Sequence, residues 1–228
     1  MSSESRGSGR EMVTLEGHKE TIISASFSPG DLHVVTGSDD HTAKIWDAAT
    51  GREILSLNGH TKNVWSARFS PDGQRIVTGS FDQTAKVWNA TTGRELLTLS
   101  GHRAGIFSAT FSPDGQHIVT AGYKDVKVYE ATTGRELLTF KAHDDIIYSV
   151  EFSPDGQRII TGSGDQTAKI WDAATGMELL CLKEHGDGIR SVAFSPDGLR
   201  IATCSHDCSM TIILHFVDYN CHCSPVHR

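Results

Sequence analysis

A dipeptide recurs along this chain as Gly17-His18, Gly59-His60 and Gly101-His102, then as Ala142-His143 and Glu184-His185. The intervals between the histidines are 42, 42, 41 and 42 residues. A fixed period of this length marks a stack of equal units, none of which buries its apolar surface alone. That constrains the fold more tightly than any single motif and replaces the usual division of a chain into separate domains.

The second unit, Thr61 to Gly101, shows what repeats. Val64 to Ser70 alternates apolar residues and stops at Ser70-Pro71-Asp72-Gly73, where proline presets one turn residue and glycine closes the turn. Arg75 to Ser80 is a second β-type run, Thr84 to Trp88 a third, and Arg94 to Leu99 a fourth after the Ala90-Thr91-Thr92-Gly93 turn. Four short strands with tight turns predict an antiparallel meander. The turn returns at Pro113-Asp114-Gly115, Pro154-Asp155-Gly156 and Pro196-Asp197-Gly198, with its order swapped at Pro29-Gly30-Asp31. A four-stranded sheet with two partly apolar faces stays soluble by stacking on its neighbours, and radial stacking gives an all-β propeller.

Taken together, the Gly-His, the Ser-Pro-Asp-Gly turn and the Thr-Gly-Ser, Asp and Lys-Ile-Trp-Asp elements resemble the WD40-repeat family, over residues 11–212. The resemblance implies a buried relay in each unit: His18, Thr36, Asp40 and Trp46; His60, Thr78, Asp82 and Trp88; His143, Thr161, Asp165 and Trp171. Recurrence around a stack suits a structural role, since each group is costly to bury alone and satisfies the next. Two units depart from the pattern. The third lacks one residue, so Lys124 stands where the acid belongs and Tyr129 replaces the tryptophan; in the fifth, Ile213 does so.

The strand count yields a WD40-like β-propeller of five four-stranded antiparallel blades, with Glu11 to Glu16 as an N-terminal strand completing the last blade. Five blades are few, so the expectation is a small closed ring or else an open arc able to pair with another chain. The organisation read from the chain is a loose polar tail over 1–10, the propeller over 11–214 and a divergent tail over 215–228. The repeats run over 17–58, 59–100, 101–141, 142–183 and 184–214.

The resemblance also implies that three positions per unit surround the channel mouth on the top face. They are the residues three and five after the histidine and the one before the acid. Among them are Ile23, Trp65, Phe81, Phe107, Tyr123, Tyr148, Arg190 and His206, where aromatic groups collect in otherwise similar units. Aromatic residues and arginine dominate binding hot spots. The competing reading is core filling, because strict alternation would put Trp65, Ala67 and Phe69 on one side of their strand.

Net charge is −7 and there is no Lys/Arg-rich run, which argues against nucleic acid as a partner, and no apolar stretch is long enough for a membrane-spanning helix. Five cysteines crowd the last quarter, which is no disulfide framework and points to a cytoplasmic or nuclear protein. Cys204, His206, Cys208, Cys221, His222, Cys223 and His227 supply zinc-type donors, but their spacing matches no standard zinc site. No catalytic, phosphate-binding or cofactor motif is present. The expected function is a non-enzymatic interaction scaffold for a protein or peptide. The alternatives are a metal- or redox-responsive domain at the C-terminal Cys/His cluster, or an incomplete propeller working within a larger assembly.

Overall fold

The computed structural model describes residues 13–214, and every regular element in that span is a strand. The first blade comprises β1 (Ile22–Phe27), β2 (His33–Ser38), β3 (Thr42–Asp47) and β4 (Glu53–Asn58). The second comprises β5 (Val64–Phe69), β6 (Arg75–Ser80), β7 (Ala85–Asn89) and β8 (Glu95–Leu99). The third has β9 (Ser108–Phe111), β10 (His117–Ala121), β11 (Asp125–Glu130) and β12 (Glu136–Lys141). The fourth has β13 (Ile147–Phe152), β14 (Arg158–Ser163), β15 (Ala168–Asp172) and β16 (Glu178–Leu182). The fifth has β17 (Ile189–Phe194), β18 (Arg200–Ser205) and β19 (Met210–Leu214). Strands follow one another in chain order within each sheet and pair antiparallel.

Side-chain hydrogen bonds shape the turns. Ser70 Oγ accepts from Arg75 N at 2.9 Å, Asp72 accepts from Gln74 N at 3.0 Å, and Gly73 closes the turn onto Ser70 O at 2.8 Å. Gly73 sits at φ 70°, a left-handed conformation that glycine adopts without penalty. The swapped first unit puts Asp31 there, at φ 60°, a position that Asp tolerates better than most residues.

Four apolar clusters hold the blades together, each shared by two consecutive sheets. Between blades 1 and 2, Val35, Ala43, Ile45 and Leu57 on the back of one sheet meet Val64, Ala67, Ile76 and Trp88 on the front of the next. Between blades 4 and 5, Ile160, Ala168 and Ile170 meet Ile189, Val192 and Ile201. The repeat supplies the same two faces each time.

The stack is open at both ends. Its fifth sheet has three strands, and among the described residues no strand pairs with the outer side of β19. The closed small ring, with the N-terminal strand completing the last blade, is therefore not what the described residues form. The two ends do not cover each other, since Ile22 of blade 1 and Ile212 of blade 5 are both exposed. The N-terminal segment lies against the β3–β4 turn of blade 1. A Cβ built on Gly51 would lie 2.8 Å from Thr14 O and also meet Val13 and Leu15. Glu11 and Met12 of that expected strand, and the tails 1–10 and 215–228, lie outside the described residues.

The same side-chain position should thus carry different weight in different blades. Ile45→Ala, at 2% exposure, is expected to cost about 2–5 kcal/mol. Ile212→Ala, its counterpart at 62% exposure, should cost less than about 1 kcal/mol. Urea unfolding of the two variants in dilute solution measures the contrast, and equal costs would contradict the open end.

Candidate functional site

Beneath the top face, each of three blades contains a complete relay. In the second, Trp88 Nε1–H donates to Thr78 Oγ1 at 2.9 Å, the Thr78 hydroxyl lies 2.7 Å from His60 Nε2, and His60 Nδ1 lies 2.8 Å from Asp82. Blade 1 repeats this geometry through Trp46, Thr36, His18 and Asp40, and blade 4 through Trp171, Thr161, His143 and Asp165. The donors run in one direction if each imidazole carries its proton on Nδ1. The acid also ties down the chain: Asp82 accepts from Thr61 N at 3.1 Å and from the Thr84 hydroxyl at 2.6 Å.

Burial raises the affinity of the Asp82 carboxyl for a proton, but the bonds from Thr84, His60 and Thr61 outweigh it and hold the group at about 2. Burial pushes His60 and His143 below their ordinary value, although the neighbouring acids oppose it. In the third blade His102 keeps its bond to Thr120 at 2.7 Å, while the shortened turn provides no acid. Burial, with the Lys127 ammonium nearby, depresses His102 to about 4. The Tyr129 hydroxyl donates to Ser100 O at 3.0 Å and also meets the Thr120 side chain, so it takes part of the tryptophan's place. The fifth blade retains His185, Thr203 and Asp207 at 2.8 and 2.9 Å.

Above these relays lies the rim. The pairing of β5 with β6 shifts register between Val64 and Ser66, leaving Trp65 as an extra, bulged residue. The same shift brackets Ile23 in β1, Tyr148 in β13 and Arg190 in β17. The bulge explains why Val64 and Ala67, three residues apart, pack in one apolar cluster, which regular alternation forbids. It frees Trp65 from that side, so Trp65 does not share a face with Ala67 as a regular strand would require.

Consequently the rings meet one another. Trp65 contacts Phe107 edge-on at 4.9 Å between centroids, Phe81 contacts Phe107 at 6.0 Å, and Phe107 contacts Tyr148 at 5.9 Å. The Arg190 guanidinium lies 3.8 Å over the Tyr148 ring and its Nε donates to His206. Six of the eight sequence-identified rim residues thus form one row across blades 2 to 5. Phe81 is 44% exposed, while Trp65, Phe107 and Tyr148 are half-buried. Tyr123 is exposed beneath the Lys124 ammonium and, among the described residues, makes no ring contact with the row. Ile23 is half-buried in blade 1, outside it.

Two further residues take part. Lys62 lies 5.8 Å from the Phe81 ring, and Gly105 provides its seat, since a Cβ there would come within 2.6 Å of the ring. The spacing of Gly105 marks it as a rim position, but its smallness only acquires meaning once Phe81 is seen to lie over it. No group of three or more His, Cys, Asp or Glu residues able to hold a metal occurs among the described residues; Cys221, His222, Cys223 and His227 lie outside them.

The relay predicts how stability depends on pH. His102, at about 4 in the folded chain and 6.5 unfolded, contributes stability that is present above 6.5 and lost as pH falls toward 4. His60 and His143 have the same sign, and Asp82 adds a loss between 3.8 and about 2. The denaturation midpoint should therefore fall across the first window. His102→Asn, less stable at neutral pH, should lose less of its remaining stability there; an unchanged slope would refute the assignment.

Comparison with known proteins supplies the family. The model of the WD domain, G-beta repeat, matches at residues 9–47, 51–89, 93–130, 134–172 and 176–213. A stretch of 37 residues is 51% identical to the vegetative incompatibility protein HET-E-1 of Podospora anserina, and it covers 16% of this chain and 3% of that protein. That match is shorter than one repeat interval. Repeats of this kind are, in general, protein-interaction scaffolds rather than enzymes. Five matches in succession, each enclosing a β-meander of the observed stack, establish that this chain belongs to the WD40-repeat family.

Proposed function

We propose that this chain is a non-enzymatic scaffold that binds a protein or peptide on the rim formed by Trp65, Phe81, Phe107, Tyr148, Arg190 and His206. The observation that carries this reading is the continuous row of partly exposed rings joined edge to face, ending in an arginine. Rings already packed against each other lose little conformational freedom when a partner covers them, so their apolar area converts efficiently into affinity. The bulges favour recognition over core filling, because each places its residue outside the regular strand alternation that fills the clusters between blades.

Affinity capture with the intact chain and with a Trp65→Ala, Phe107→Ala, Tyr148→Ala chain tests the proposal, followed by calorimetry on a partner that only the former retains. Trp65→Ala alone should cost about 2 kcal/mol or more, roughly a 30-fold loss of affinity, with the unfolding midpoint little changed. Identical captured proteins for both chains would show that this rim is not the reader. Unfolding of the Trp65→Ala chain would restore the filler reading.

A further inference from the structure

The two ends of the stack expose the two faces that are covered at every boundary inside it. At every interior boundary a residue in the first strand, or just before it in blade 3, is covered by the preceding blade: Val64, Ile106, Ile147 and Ile189 are all within 1% of full burial. Their counterpart in blade 1, Ile22, is 42% exposed, and Phe27 further along the same strand is 62% exposed. On the opposite face, Ile45, Val87, Val128 and Ile170 are covered by the following blade, whereas Ile212 of blade 5 is 62% exposed. Ala43, Ala85, Val126 and Ala168 are likewise buried, while Met210 is 61% exposed. One end presents an uncovered front, the other an uncovered back.

Polar contacts follow the same pattern. Ser66 Oγ accepts the N–H of Ala109 in the following blade at 3.2 Å, and Ser108 and Ser149 do so for Val150 and Val192 at 3.3 Å. Their fifth-blade equivalent, Ser191, is exposed, and so is Ala25, the first-blade residue that such a serine would meet. Lower on the face, Arg75 stacks 5.0 Å over Phe111 of the next blade and donates to Gly115 O at 2.8 Å and Ala131 O at 3.1 Å. Arg200 is its equivalent in blade 5, exposed and held by Asp197 at 3.6 Å. Beside it lies a depression lined by Ala193, Phe194, Ala202 and Ile212. Phe27 is the first-blade equivalent of Phe111.

The missing strand completes the match. Gly93, Gly134 and Gly176 pack on outer-strand residues of the preceding blade, namely Leu55 and Leu57, Leu97 and Leu99, and Phe140. Gly51 packs in the same way on Val13, Thr14 and Leu15. The N-terminal segment therefore lies against blade 1 where the outer strand of a preceding blade would lie, and β19 is the strand with no described outer partner.

We propose that this chain assembles head to tail with a second copy of itself. The back of blade 5 in one copy seats on the front of blade 1 in the next, whose Val13–Leu15 segment supplies the fourth strand beside β19. What covers these faces is indicated by the four interior boundaries, which bury the same apolar positions each time and at three of the four add the same serine hydrogen bond. The interface is heterologous, so each copy uses both ends, and nothing in it stops growth at two copies. It is independent of the rim proposed to bind a partner.

Sedimentation velocity of the intact chain over a range of concentrations tests the proposal, with Phe27→Asp and Ile212→Asp as single variants. The intact chain should show an average mass at least twice its 24.8 kDa, rising with concentration. Each variant alone should sediment at 24.8 kDa, because one of its ends is blocked. An equimolar mixture should recover a species of twice that mass and no larger, since one open front and one open back remain. A monomeric intact chain would overturn the proposal in favour of closure within one chain or cover by its own terminal segments. Variants that assemble as the intact chain does, or a mixture that stays monomeric, would also overturn it. Should either variant lose its β-sheet circular dichroism, Ile22→Lys and Met210→Lys repeat the test at neighbouring exposed positions.

Discussion

The face-to-face contact between consecutive sheets is the interaction on which the rest of this structure depends. A single meander exposes two apolar faces and has no other way to bury them. Each boundary removes several branched aliphatic side chains from water, at about 1.5–3 kcal/mol for each one fully buried. Net contributions of individual hydrogen bonds are smaller, about 0.5–1.5 kcal/mol. Apolar stacking therefore decides that the blades hold together, and polar groups decide how each blade is finished.

The rim follows from the same contact. To fill a boundary, the first strand of a blade must present Val64 and Ala67, or their equivalents, to the sheet behind it. The extra residue between them cannot join that face, and the bulge displaces it from the regular pleat. Recognition and packing are thus separated within a single strand. The packing residues stay aliphatic from unit to unit, while the bulged one varies among Ile23, Trp65, Tyr148 and Arg190, and Phe107 takes the equivalent place just before β9. The neighbouring turn contributes a second variable residue, because Phe81 N–H bonds to Asn63 O at 2.9 Å and Gly164 and His206 make the corresponding bonds.

Much of this was legible in the chain itself. The 42-residue interval, the Pro-Asp-Gly turns and the polar tetrads announce the meander and its internal bonds, because each rests on local chemistry repeated at fixed spacing. The bulge was not legible. Counting alternate residues along Asn63 to Phe69 puts Trp65 beside Ala67, and only the pairing with β6 reveals the extra residue. Ring closure was equally hidden, since the angle between sheets depends on side-chain volumes on two faces at once. The seat that Gly105 provides for Phe81 escaped notice for a related reason: a long-range approach leaves no periodic trace.

The third blade shows how little of the relay a blade needs in order to form. Removing one residue from the β10–β11 turn deletes the acid and also a left-handed position, the one that His41, Gln83, Gln166 and Cys208 occupy at φ 67–74° in the other blades. Such a conformation costs about 1–2 kcal/mol for a residue with a side chain. The acid's bonds to two backbone N–H groups offset that cost where it is present. Loss of both leaves the balance nearly even, which is why the sheet keeps four strands and His102 keeps Thr120. The acid and the strained turn are best understood as one coupled unit, gained or lost together, laid over a stack whose cohesion comes from the apolar faces.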